Sequence, residues 1–106
     1  MLSEKDKNML SLFASLVRQR FFDARIWAFG SRTKGEATEE SDLDACVVVN
    51  ILDDETDGAI MDIAWQVGFD HDTIISTVTY SQQEFEKGPC SESTLVQNIL
   101  EEGAPA

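Results

Sequence analysis

Two short polar segments decide how this chain is organised: residues 30–35 (G-S-R-T-K-G) and residues 41–44 (S-D-L-D). They lie between two apolar runs. Residues 25–29 (R-I-W-A-F) form a short run with aromatic and β-branched side chains. Residues 42–51 (D-L-D-A-C-V-V-V-N-I) are nearly all apolar after the two aspartates with which they begin. Both runs predict β-strands, the second buried on both faces at its far end. The polar segment 31–41 is therefore expected to be a loop or a short helical turn.

Outside this centre the apolar spacing predicts helices and one more strand. A stripe along residues 3–22 predicts a helix, and Ser3 with Asp6 resembles a capping box. A second helix is expected from Asp53 or Asp54 to about residue 68. Its apolar positions are expected to face inward: Ile60, Met61, Ala64, Trp65 and Val67.

The last third of the chain completes the pattern. Residues 73–80 are dense in β-branched side chains and predict a third strand, while residues 81–86 and 93–102 predict a helical turn and a short helix. The tail, residues 103–106, is expected only to end that helix. The order α-β-turn-β-α-β-α predicts a single α+β domain over residues 1–106, with a small mixed sheet flanked by helices.

Charge and composition exclude several classes of function. Eight basic residues against twenty acidic ones give a net charge of -12. This balance argues against nucleic acid or an anionic membrane as partner, because both are bound through Lys and Arg. No apolar run approaches the length of a membrane span or a signal peptide, so a cytoplasmic protein is expected. Cys46 and Cys90 lie far apart and have no metal-ligand spacing.

The two polar segments contain the groups that a metal–triphosphate site needs. Asp42 and Asp44 project to the same side of an extended strand, so their carboxylates can converge on one Mg²⁺ ion. Gly30 allows close approach of phosphate to the backbone, and Ser31 begins a turn whose free N–H groups attract anions. Arg32 is a candidate to neutralise triphosphate charge, and Lys34 a weaker one. Arg32 and Lys34 also fit ordinary solvated turn positions.

Gly30-Ser31, a ten-residue interval and Asp42-x-Asp44 resemble the signature of the nucleotidyltransferase superfamily related to DNA polymerase β, in its minimal form. Gly35 and Ser41 also stand where minimal members often carry Gly and Ser. The resemblance implies the polymerase β-like fold, with Gly30 and Ser31 on the triphosphate and Asp42 and Asp44 as catalytic Mg²⁺ ligands. The substrate it implies is ATP or another nucleoside triphosphate.

Minimal members of this superfamily resemble the antitoxin half of toxin–antitoxin pairs, whose partners are helical HEPN proteins. The resemblance therefore implies transfer of a nucleotide, AMP from ATP, to a hydroxyl on such a partner. Active members usually carry a third carboxylate on the later strand as general base, but residues 74–79 (I-I-S-T-V-T) contain none. Four acids flank that strand and are candidates to replace the missing carboxylate: Asp70, Asp72, Glu84 and Glu86. The alternative is a catalytically weak or inactive binding protein of the nucleotidyltransferase fold, an antitoxin that acts by docking to a basic helical toxin.

Overall fold

The computed structural model describes residues 2–34, 42–88 and 93–106. The predicted turn residues Gly35 and Ser41, and Cys90, lie outside this described part. The remaining chain forms the following elements in order: α1 (Glu4–Arg20), β1 (Arg25–Phe29), α2 (Ser31–Lys34), β2 (Leu43–Val49), α3 (Asp54–Asp70), β3 (Ile75–Ser81), α4 (Gln82–Glu86), α5 (Thr94–Glu102) and β4 (Ala104–Pro105). No helix in the described residues is long and apolar enough to cross a membrane.

Helix starts follow the side-chain chemistry that the sequence indicated. Ser3 caps α1, and its hydroxyl accepts a hydrogen bond of 3.1 Å from the backbone N–H of Asp6. Asp53 caps α3 by accepting a hydrogen bond of 2.7 Å from the backbone N–H of Thr56. Ser81 and Glu84 form a reciprocal capping box at the start of α4. These caps satisfy N–H groups that have no partner within the helix.

The described strands form one mixed sheet in the order β3-β2-β1-β4. The β1–β2 pair is antiparallel and the β2–β3 pair is parallel, with α3 as the crossover between the two parallel strands. Phe29 lies opposite Asp44 in the first pair, and Asp44 lies opposite Ser76 in the second. The alternation of side chains along β2 sends Leu43, Ala45 and Val47 to one face of the sheet and Asp44 and Cys46 to the other.

Two apolar clusters cover the two faces of this sheet. On one face, α1 and α3 pack over β1 and β2 around the fully buried side chains of Phe13, Leu43 and Ile60. On the other face, α4 and α5 cover Cys46 and Val48 with Phe85, Val96 and Ile99. The predicted α+β class, with a small mixed sheet between helices, is confirmed. In β2, Asp44 is half-buried and the other residues of the strand are buried.

Two expectations from the sequence are wrong. The tail does more than end α5, because Ala104 and Pro105 pair with Ala28 and Trp27 as an edge strand. Met61 and Trp65 do not face inward either; they are 55% and 69% exposed. The face of α3 that packs on the core carries Ile60, Ala64 and Val67, and residues 61 and 65 lie beside that face.

Candidate functional site

Gly30 and Asp44 are packed against each other where β1 ends and β2 begins. The pairing of Phe29, the last residue of β1, with Asp44 brings Gly30 beside that carboxylate. Gly30 has a φ of +83°, a conformation that L side chains rarely adopt. A Cβ atom at this position would overlap Oδ2 of Asp44. The backbone conformation therefore favours glycine here, and a larger residue would also have to displace the Asp44 carboxylate.

The turn after Gly30 is closed by its own carbonyl oxygen. This oxygen accepts hydrogen bonds from the backbone N–H of Thr33 (3.2 Å) and from its hydroxyl (2.7 Å). The backbone of Ser31 begins the four-residue α2, but the side chains of Ser31 and Lys34 lie outside the described part. The structure thus places Ser31 next to Gly30 at the end of β1 without describing its hydroxyl.

Asp42 and Asp44 flank a buried leucine at the start of β2. Leu43 is fully buried, and its backbone N–H donates to the carbonyl oxygen of Ile74 at 2.9 Å, which fixes the register of the strand. Asp42 lies just before the strand and is exposed, and Asp44 is half-buried. Burial, and secondly the negative charge of Asp42, raise the pKa of Asp44. The two carboxylates are therefore close enough to repel each other.

The donor set at this point fits Mg²⁺ with a phosphate ligand. A cation between the two carboxylates would remove the repulsion that raises the pKa of Asp44. In the described residues no group of three or more acidic, histidine or cysteine side chains could hold a metal ion. Mg²⁺ is usually held by one or two carboxylates together with substrate phosphates and waters. Asp42 and Asp44 fit that arrangement better than a closed, all-protein cage.

Ser76 lies in β3 directly opposite Asp44, where a third carboxylate would be expected. Two of the four acids proposed as substitutes lie at the other end of the sheet. Glu86 forms an ion pair of 2.7 Å with Arg25, and Glu84 belongs to the α4 capping box. Asp72 instead precedes β3 at the same end as Asp42 and lines the same cavity. Asp70 is the exposed last residue of α3.

The guanidinium of Arg32 contacts α1. Its Nη1 donates a hydrogen bond of 2.6 Å to Oδ1 of Asp6, and both side chains are more than nine-tenths buried. A buried carboxylate needs a charged partner, and Arg32 supplies it. The guanidinium that was expected to neutralise phosphate is thus paired with a residue of α1.

A cavity of about 1050 Å³ opens between α3 and β3, next to the carboxylate pair. Asp42 and Ser76 line this cavity together with the apolar side chains of Trp65, Phe69 and Ile74. Gly68 makes the close approach of the two elements possible, because a Cβ there would overlap the carbonyl oxygen of Thr73. The backbone N–H of Thr73 donates to the carbonyl oxygen of Gly68 at 2.8 Å, which closes the turn between α3 and β3.

The sequence family is decided by a match over nearly the whole chain. The model of the nucleotidyltransferase domain family matches residues 10–105. The chain belongs to this family. No curated protein sequence matches the chain at a significant level.

Two solved structures are similar to this nucleotidyltransferase domain. The first is a mutant of the toxin–antitoxin pair MntA–HpeT, at a TM-score of 0.58 and 17% identity, covering 97% of this chain and 72% of that one. The second is a candidate nucleotidyltransferase from Sulfolobus solfataricus, at a TM-score of 0.49 and 18% identity, covering 79% of this chain and 77% of that one. At this identity the first similarity establishes the fold of the nucleotidyltransferase domain.

The sequence pattern did not indicate Asp6 or the exposed aromatic wall of the cavity. Asp6 was interpreted only as part of a helix cap, because its partner Arg32 lies 26 residues away. The stripe of Met61, Trp65 and Phe69 follows a four-residue spacing of its own, beside the buried stripe. That second apolar stripe was the available signal, since a surface helix needs only one to pack on a sheet.

Proposed function

We propose that this nucleotidyltransferase domain transfers a nucleoside monophosphate, AMP from ATP, to a hydroxyl group on a protein partner in a Mg²⁺-dependent reaction. The observation that supports this most is the packing of Gly30 against Asp44, with Asp42 close enough to raise the pKa of Asp44. This packing brings the end of β1, which would hold phosphate, next to the carboxylates that would hold the metal. Family membership supports the class of reaction.

In this proposal, Gly30 and Ser31 hold the β- and γ-phosphates through the turn at the end of β1. Asp42 and Asp44 are the catalytic carboxylates and hold Mg²⁺, which orients the phosphates and stabilises the charge that develops on them. The acceptor oxygen forms a bond to the α-phosphorus, and the bond from this phosphorus to the bridging oxygen of the β-phosphate breaks. Pyrophosphate leaves with the electron pair, and the hydroxyl proton passes to water or to a nearby carboxylate.

Arg32 has a different role in the proposal from the one that its sequence position suggested. Since Asp6 already pairs with its guanidinium at 2.6 Å, we assign Arg32 to holding the turn in place rather than to neutralising phosphate. The backbone of α2 stays a candidate for phosphate contact. Asp6 then becomes a positioning residue for the turn, acting through Arg32.

The protein partner is the least direct part of the proposal. The similar structure is named as a toxin–antitoxin pair, and the notable acidity of this chain suits a basic partner. We propose that this domain is the antitoxin of such a pair, with a helical, HEPN-like toxin as partner. A hydroxyl on that partner would be the acceptor.

A second candidate function is supported by Ser76. This serine, not an acid, lies opposite Asp44, and general-base assistance is typically worth about 10²–10⁴ in rate. A domain without that assistance could act as an antitoxin by docking alone. The exposed aromatic wall of the cavity would serve docking equally well.

Label transfer separates the two functions. The chain is incubated with ATP labelled at the α-phosphate, Mg²⁺ and the product of the neighbouring gene, and the label on that product is measured. Transfer is expected with the wild-type chain and is expected to fall at least 100-fold in the Asp42→Asn/Asp44→Asn variant. The control is Asp23→Asn/Glu101→Gln, which removes the same charge at exposed positions. Toxin inhibition that persists equally in both variants, without transfer, would instead support docking alone.

A further inference from the structure

An exposed apolar wall, formed by α3 and by Ile74 just before β3, has no covering partner within the described part of the chain. Met61, Trp65, Phe69 and Ile74 are 55%, 69%, 71% and 67% exposed. The rings of Trp65 and Phe69 stack with centroids 5.2 Å apart and an angle of 12° between their planes. Met61, Trp65 and Phe69 are spaced four residues apart and so share one side of α3. Clustered exposed apolar side chains of this kind are typical of docking or ligand-binding surfaces.

The position of this wall relative to the carboxylates defines what it can bind. In the sheet, β2 lies between β1 and β3, so Gly30 and Ser76 are on opposite sides of Asp44. The cavity with the aromatic wall is on the Ser76 side and includes Asp42. The proposed phosphate turn therefore lies on the β1 side of the carboxylate pair and the cavity on the β3 side. The cavity reaches the pair at Asp42, whereas α3 itself packs on the face of the sheet opposite the Asp44 carboxylate.

The direction of nucleotidyl transfer then indicates which reactant the cavity would hold. In an in-line displacement the acceptor oxygen and the leaving oxygen lie on opposite sides of the phosphorus. If pyrophosphate leaves towards Gly30, the acceptor must approach from the side of Ser76. This step rests on the proposed function, whereas the binding of a ligand to the apolar wall does not.

We propose that the cavity between α3 and β3 is the acceptor site, and that its occupant is a basic segment of a protein partner that inserts an aromatic or large apolar side chain between α3 and β3. Asp42 and Asp72 line the cavity, and no lysine or arginine is among the described residues that line it. Asp62 and Asp70 are exposed on the same helix. Basic residues beside the inserted side chain complement these acids.

The size of the cavity also fits a polypeptide segment. A volume of about 1050 Å³ is larger than one hydroxyl-bearing side chain requires and accommodates several neighbouring side chains. The inserted side chain stacks on or packs against Trp65 and Phe69. The acceptor hydroxyl then reaches Asp42 from the Ser76 side, forms the bond to the α-phosphorus, and displaces pyrophosphate towards Gly30.

A binding experiment tests this assignment without knowledge of the natural partner. The probe is a fluorescein-labelled random copolymer of lysine and tyrosine, followed by fluorescence anisotropy at 150 mM salt. It is expected to bind at least tenfold more tightly than polylysine of the same length, and a copolymer of glutamate and tyrosine is not expected to bind. In a Trp27→Phe chain, which retains Trp65, binding of the lysine–tyrosine copolymer is expected to protect the indole from acrylamide quenching.

Matched variants locate the binding site. Trp65→Ala/Phe69→Ala is expected to weaken copolymer binding at least tenfold and to leave Mg²⁺-ATP affinity unchanged. The control, Phe22→Ala/Ile51→Ala, removes two side chains that are 90% and 71% exposed outside the cavity, and is expected to leave both affinities unchanged. Asp72→Asn is expected to weaken binding more than Asp23→Asn. Circular dichroism confirms that each variant is folded.

The outcomes separate this inference from the proposed function. Equal copolymer affinity in the aromatic double variant and its control would overturn the acceptor site, even where label transfer depends on Asp42 and Asp44. Weakened binding in the aromatic double variant supports the docking site even where no label is transferred, in which case the proposed transferase activity fails alone. If the wild-type chain places label on the tyrosine of the copolymer and the Trp65→Ala/Phe69→Ala variant does not, the result supports both the acceptor site and the proposed transferase activity.

Discussion

Arg32 donates a hydrogen bond of 2.6 Å to Asp6, and this buried ion pair ties the first turn of α1 to the turn that follows β1. The exposed fractions of the two side chains are 9% and 7%. Because the pair is removed from solvent, each charge depends on the other. The candidate phosphate turn is thereby held by a residue 26 positions away in the sequence.

Asp6→Asn is expected to lower the free energy of unfolding by about 1.5–3 kcal/mol, since it removes the buried carboxylate to which the Arg32 guanidinium donates. Urea denaturation measures this loss, and calorimetry is expected to show weaker binding of Mg²⁺-ATP. Glu4→Gln is the control, because Glu4 is an exposed acid in the same helical turn. Equal stability of the two variants would show that the pair does not hold the turn.

Gly30→Ala is expected to cost about 1–2 kcal/mol of stability from the positive φ alone, with a further loss from the overlap with Asp44. Gly58→Ala is the matched control: its added Cβ meets no atom within 4 Å in the interior of α3, so a gain of about 0.5–1 kcal/mol is expected.

A double-mutant cycle isolates the contact. If the overlap is real, Gly30→Ala is less damaging in a chain that already carries Asp44→Ala, with a coupling of about 0.5–3 kcal/mol. Additive losses, measured by chemical denaturation, would contradict the packing of Gly30 against the carboxylate.

Asp44→Asn is expected to stabilise the metal-free protein at neutral pH. The pKa of Asp44 is raised by burial and by Asp42, so the unfolded chain releases this proton at a lower pH than the folded chain does. The free energy of unfolding therefore falls as pH rises from the ordinary pKa of an aspartate through the raised one, and stays lower above it.

Thermal unfolding from pH 3 to 7 measures this difference, and Asp23→Asn, at an exposed turn, is the control. Mg²⁺ with ATP is expected to raise the Tm of the wild-type chain by linkage and to have a much smaller effect on Asp44→Asn. A higher Tm for the wild-type chain than for Asp44→Asn without metal would contradict this prediction.

Ser76→Asp is expected to restore a carboxylate directly opposite Asp44. If the absence of a general base limits transfer, the rate of label transfer rises about 10²-fold or more. Ser76→Asn has nearly the same size without the charge and is expected to leave the rate unchanged. Equal rates in the two variants would indicate that another group, such as Asp72, accepts the proton.

Cys46 is expected to be inert in the folded protein. Its side chain is fully buried in β2, and burial raises the pKa of the thiol to about 12. A chain carrying Cys90→Ser should therefore show no reaction with a thiol reagent at pH 8 until urea unfolds it. Rapid labelling of that variant under native conditions would contradict the placement of Cys46.

The strands and helices could be predicted from sequence because their signals are local. The aromatic and β-branched side chains of residues 25–29, the apolar run after Asp42 and the capping side chains Ser3 and Asp53 each act within a few residues. The placement of Asp42 and Asp44 on either side of a buried Leu43 follows from the alternation of side chains along an extended strand.

The features that the sequence did not predict depend on distant parts of the chain. Arg32 and Asp6 each have ordinary local interpretations, in a turn and in a cap, and only the packing of α1 brings them together. Trp65 is apolar, and apolar spacing alone does not distinguish a side chain that faces the core from one that faces a partner. Pro105 could not be expected in a strand, because proline is accepted only at the sheet edge that it occupies.

The pairing of β4 with β1 has a consequence for how this protein folds as it is made. β1, which ends at Phe29 just before Gly30, has one edge covered by residues 104 and 105, and the N–H of Ala106 donates to the carbonyl oxygen of Ile26 at 2.9 Å. Arg18 of α1 donates to the carbonyl oxygen of Ala106 at 2.6 Å. These contacts span about eighty residues of sequence, and such long-range contacts form slowly. On the ribosome, the strand that leads to the candidate phosphate turn therefore pairs with β4 only after residues 104–106 have emerged.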